Sequence, residues 1–121
     1  MSRLIEYFTW NSSIAKDYVL NICEYYEIKC REASPKTLDL LEEYGVLERA
    51  IDGNLMTVPT ELLNKNNIKE LNKELEELRK YIILITEEDP LFFEVIEVEA
   101  EEDEIKFLID YLEDQQVKIL T

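Results

Sequence analysis

Few side chains in this sequence could do chemistry, and their types narrow the reactions open to it. There are two cysteines, Cys23 and Cys30, and no histidine. Without imidazole there is no Ser-His or Cys-His pair to activate a nucleophile, and no histidine ligand for a metal. Cys23 falls in a helix-like stretch and Cys30 in a strand-like one, without the C-x-x-C spacing of a redox pair. Inert packing is the expected state of both, and a bridge between them is left open. With Gly45 and Gly53 as the only glycines, no glycine-rich phosphate cradle can form. The 28 Asp and Glu side chains are so dense that carboxylate pairs arise by chance. The acidic run EAEEDE (99–104) lacks the spacing and the glycine of an EF-hand loop. No catalytic residue, no metal site and no cofactor is expected.

Charge narrows the partners. Lys and Arg number 13 against 28 Asp and Glu, a net −15. Residues 1–60 carry 6 basic and 10 acidic groups, net −4; residues 61–121 carry 7 and 18, net −11. Direct nucleic-acid binding is disfavoured, because basic groups must displace the phosphate counterions. An anionic membrane surface repels such a chain, whereas a protein with a basic surface is attracted to it. No apolar run approaches the ~20 residues of a membrane span. The start, MSRLIEYF, lacks the apolar core and cleavage site of a secretory signal, so a cytoplasmic protein is expected.

The periodicity assigns the elements. Residues 3–9 (RLIEYFT) read as a strand covered on both faces. Ser12 or Ser13 can cap a helix over 14–26, whose apolar face is Ile14, Ala15, Tyr18, Val19, Ile22, Cys23 and Tyr26. Residues 27–33 form a second strand. Ser34 as cap, Pro35 at the first position and Gly45 past the end bracket a second helix, buried through Leu38, Leu41 and Tyr44. Residues 46–54 connect, with Asp52-Gly53-Asn54 as a turn. Residues 55–63 (LMTVPTELL) are either a strand interrupted by Pro59 or a strand that ends before a helix starting there. A helix over 67–80, strands at 81–86 and 91–100 paired as a hairpin, a helix over 102–114 and a strand at 117–120 complete the chain. One α/β domain spanning 1–121 is expected, a central mixed sheet flanked by helices with a C-terminal β-hairpin and helix.

Three pieces of the first half carry a family likeness: LIEYFTWNSSIAKDYVL, LLEEYGV and TVPT. Over residues 3–63 the chain resembles the thioredoxin/glutaredoxin superfamily. The resemblance implies a thioredoxin-like sheet, with Trp10, Asn11, Ser12 and Ser13 in the place of the redox turn and Pro59 as the cis-proline facing it. The two cysteines that would act in that turn are absent, and serine hydroxyls cannot perform thiol–disulfide exchange. A charged helix over 67–80 also stands where the family continues directly into its hairpin.

Scaffold without chemistry points to binding. The expected function is a non-catalytic, thioredoxin-like protein-interaction module; a redox enzyme is the remainder. Trp10 is either an exposed anchor or a lid over the first strand. Tyr18, Tyr26 and Tyr44 are expected in the core, and Tyr25 outside it. From Glu87 to Glu104 there are ten acidic residues and no Lys or Arg. Glu97 and Glu99 share one strand face about 7 Å apart, with Glu94 on the other and Glu101 and Glu102 beyond. Such a row either blunts an exposed strand or imitates a nucleic-acid backbone, as in a viral inhibitor that occupies a basic groove. Self-association stays open, because the 67–80 helix carries a continuous Leu/Ile stripe.

Overall fold

Every residue of the run Tyr81–Thr86 is buried, and this strand lies at the middle of the sheet. A computed structural model describes residues 2–121. The elements are β1 (Leu4–Phe8), α1 (Ser12–Tyr25), β2 (Lys29–Glu32), α2 (Pro35–Glu43), β3 (Leu47–Arg49), β4 (Leu55–Thr57), α3 (Lys65–Glu77), β5 (Tyr81–Thr86), β6 (Phe93–Glu99), α4 (Glu102–Asp110) and β7 (Val117–Leu120). Single turns of 3-10 helix sit at Thr60–Leu62 and Asp114–Gln116.

The main sheet runs β2-β6-β5-β1-β7. Only β1 and β5 pair in parallel; β5–β6, β6–β2 and β1–β7 are antiparallel. Two faces are buried because side chains alternate along each strand. Ile5, Ile83, Ile96 and Val98 pack under α1 and α4. Leu4, Ile82, Leu84 and Val95 pack under α2 and α3. The result is a mixed sheet between two helical layers, with the 81–99 hairpin at its centre.

Several expectations need correction. Pro59 is trans, since no cis peptide bond occurs among the described residues. It precedes the short 3-10 turn, so β4 stops before it. Within the first sixty residues no two strands pair in parallel: β5 and β6 lie between β1 and β2, and β3 and β4 form a separate antiparallel hairpin. Residues 46–54, expected as connection only, supply β3, and Asp52-Gly53-Asn54 turns that hairpin. Asn11, not Ser12 or Ser13, caps α1, accepting from the Ile14 N–H at 3.2 Å. Gly45 closes α2 at a φ of 79°, a left-handed conformation that a glycine adopts without a Cβ penalty.

Cys23 and Cys30 form a disulfide rather than packing as free thiols. Glu27 adopts a left-handed φ of 58°, so the chain reverses just past α1 and the Ile28 N–H reaches the Cys23 carbonyl at 2.8 Å. That reversal brings Cys30 back to the last turn of the helix. Cys23 is buried.

On α1, Ala15, Val19, Ile22 and Cys23 are buried, while Ile14 and Tyr18, and Tyr26 just past its end, are exposed. Tyr18 and Tyr26 therefore lie outside the core where they were expected. Tyr26 packs edge-on against Tyr25 and Phe107 and shares a hydroxyl hydrogen bond with Tyr111. This aromatic cluster bridges α1 and α4 on the outer surface.

Candidate functional site

The parallel strands β1 and β5 end side by side, and at and just past their C-terminal ends stands one of the two exposed aromatic groups, Phe8, Trp10 and Phe92, apart from the Tyr26 cluster of α1 and α4. Pairing extends past Phe8, with the Thr9 N–H donating to the Thr86 carbonyl at 2.8 Å. The next residue, Trp10, is 85% exposed. Phe8, Leu91 and Phe92 are also exposed, and Trp10 stands where three shallow clefts meet. One of them is lined by Phe8, Trp10 and Phe92 together with Glu87, Glu88 and Asp89, and by no basic residue. In open α/β sheets the carboxyl ends of parallel strands are where ligands commonly sit.

The turn beneath Trp10 is held by Glu87. Its Oε2 accepts from the Ser12 N–H at 2.8 Å and from the Ser12 hydroxyl at 2.5 Å. A carboxylate at the start of α1 meets the positive end of the helix dipole as well as a free N–H. Ser12 is consequently buried and unavailable to a partner, whereas Ser13 is exposed and Asn11 half-buried.

Trp10, Asn11, Ser12, Ser13 and Glu94 line one cleft. Pro59 lies in a neighbouring one, shared with Phe8, Glu87 and Glu88. Glu94 is half-buried with Lys16 at 3.8 Å. Burial pushes its carboxyl above the ordinary range; Lys16 opposes the rise and Glu32 and Asp17 add to it.

The remaining acidic candidates are elsewhere. Glu97 is 2% exposed and is a structural hub. It accepts from Arg31 Nε at 2.9 Å, Lys80 Nζ at 3.4 Å and the Ser34 N–H at 3.2 Å, and from the Thr37 hydroxyl. Burial acts to raise its pKa, but the Thr37, Ser34 and Arg31 hydrogen bonds and the Lys80 charge outweigh it and hold the carboxyl at about 2. Glu97 therefore presents no charge to a partner, because α2 and its flanking residues close over that face. Glu99 pairs with Lys29 at 3.1 Å and Glu102 with Lys106 at 3.4 Å. Glu101 caps α4 in a reciprocal arrangement with Glu104.

Compared with protein-family models, with curated proteins and with solved structures, the chain matches none. The site stands on its own geometry. Among the described residues no three His, Cys, Asp or Glu side chains converge to hold a metal ion, and no helix is long and apolar enough to cross a membrane.

Sequence reasoning singled out Trp10 and the acidic hairpin but missed Phe8, Phe92 and Glu87. Phe8 read as the buried end of a strand, and nothing local distinguishes Glu87 among ten neighbouring acids. The signal was topological: only the β1–β5 pairing brings residues 8–12 against residues 86–92.

Proposed function

We propose that this protein is a non-catalytic binding module that engages a second protein, one with a basic surface, through the Trp10 end of its sheet. The observation that carries the proposal is the exposure of Trp10 in the same patch as Phe8, Leu91 and Phe92. Exposed tryptophan supplies large, rigid contact area and dominates the energetics of many interfaces. The carboxylates of Glu87, Glu88 and Asp89 border that patch, and the net −15 extends the attraction over the approach path. A nucleic-acid mimic requires a row of free, evenly spaced carboxylates. Enclosure of Glu97 interrupts the row on β6, so the interaction-module reading is preferred.

The test is affinity capture from the native cell extract with wild type and with Trp10→Ala. Wild type retains a partner and Trp10→Ala loses it while keeping its circular dichroism spectrum. Raising the salt to about 1 M, where charges are screened within about 3 Å, releases it. Equal retention by Trp10→Ala overturns the proposal.

A further inference from the structure

Glu6 is the other enclosed carboxylate of the sheet, and its surroundings differ from those of Glu97. It is 8% exposed, in the middle of β1, on the face that Leu4 shares with α3. One oxygen accepts from the Thr60 hydroxyl at 2.8 Å. The other accepts no bond among the described residues. No fully buried side-chain oxygen among the described residues lacks a partner, so this second oxygen is the one open to the adjoining cleft. Among the described residues Glu6 belongs to no ion pair. Burying a carboxylate without a counter-charge is unfavourable, and it is the condition in which a bound cation gains most.

The cleft above Glu6 has a volume of about 520 Å³. Phe8, Met56, Val58 and Pro90 give it apolar walls, and Glu48, Glu61 and Glu88 surround its mouth. Lys118, opposite Glu6 in the β1–β7 register, is the only basic residue lining it, and it stays exposed.

We propose that this cleft takes an arginine side chain of the basic partner, with Glu6 as its counter-charge; the inference rests on the binding role of the Trp10 end. A guanidinium is flat and weakly hydrated, so it can donate to the free oxygen of Glu6 while its face lies on an aromatic wall. The ammonium of lysine is compact and more strongly hydrated, and it fits an apolar-walled cleft less well.

The experiment titrates a hexa-arginine peptide, with hexa-lysine beside it, into wild type, Glu6→Gln, Trp10→Ala and Glu77→Gln. Glu77 lies on the exposed side of α3 and controls for loss of one negative charge. Glu6→Gln weakens hexa-arginine at least tenfold and Glu77→Gln less than twofold, while hexa-lysine binds wild type more weakly and is indifferent to Glu6. Glutamine can keep the Thr60 bond and removes an unpaired buried charge, so the melting temperature of Glu6→Gln is equal to or above that of wild type. Equal losses in Glu6→Gln and Glu77→Gln overturn the arginine site, as does a lowered melting temperature in Glu6→Gln or equal, Glu6-dependent binding of hexa-lysine. Binding that needs Trp10 and not Glu6 overturns the arginine site alone and leaves the proposed function standing. Absence of hexa-arginine binding to wild type, or binding that needs neither residue, removes both.

Discussion

Ser12 donates its backbone N–H and its hydroxyl to one oxygen of Glu87, tying the start of α1 to the end of β5 directly below Trp10. These bonds join two segments 75 positions apart and set the direction in which the aromatic turn faces.

Loss of that tie loosens the turn without removing the core. Ser12→Ala deletes the hydroxyl bond and keeps the N–H bond, at a cost of about 1–2 kcal/mol, because the acceptor is charged. A fall of about 4–8 °C in melting temperature follows for a domain of this size. Trp10 fluorescence becomes more easily quenched by iodide in the variant. An unchanged melting curve and unchanged quenching would show that the Ser12–Glu87 pair does not order the turn.

Glu97 sets the acid limit of the fold. Its folded pKa lies below the ordinary 4.5, at about 2, so its contribution is full above pH 4.5 and is lost as pH falls toward 2. A shift of this size corresponds to a contribution of order 3 kcal/mol. Glu97→Gln is less stable than wild type by about 2–4 kcal/mol at pH 7, because Lys80 and Arg31 lose their buried partner. Urea midpoints measured from pH 7 to pH 2 converge for the two proteins at the acid end. Parallel pH curves would contradict this role.

The Cys23–Cys30 bond is expected to behave as a structural one. It lies at the far end of α1 from the Trp10 turn, about 16 Å away by helix rise. Native protein takes up no thiol-directed alkylating reagent until it is reduced, and it does not accelerate insulin reduction. Cys30→Ala lowers stability by about 2 kcal/mol, the chain-entropy value for a short loop. Rapid alkylation of unreduced protein, or catalysed insulin reduction, would show that the pair is reactive instead.

Much of the layered fold was legible, for reasons that particular residues make plain. The unbroken apolar run YIILIT belongs to a strand covered on both faces, and its hairpin partner follows within a turn. Ser34, Pro35 and Gly45 bracket α2 as their backbone preferences dictate. The segment VLERA concealed β3, because Glu48 and Arg49 face solvent in a strand of three residues. The shared face of Glu97 and Glu99 on β6 follows from alternation, yet alternation cannot reveal what covers a face. The donors that enclose Glu97 come from Arg31, Ser34, Thr37 and Lys80, scattered across fifty positions. The candidate site was half legible for the same reason: Trp10 is recognisable in sequence, but the pairing of β1 with β5 that surrounds it with Phe92 and Glu87 is a long-range contact.

The binding surface is tested most directly by adding hexa-arginine to isotope-labelled protein and mapping the backbone amides that shift. The perturbed amides are predicted to cluster in residues 8–13, 56–61 and 86–93, where β1, β4 and β5 end. Shifts centred on the Tyr25–Tyr26–Phe107–Tyr111 cluster, or spread evenly over all acidic residues, would contradict a binding role for the Trp10 end.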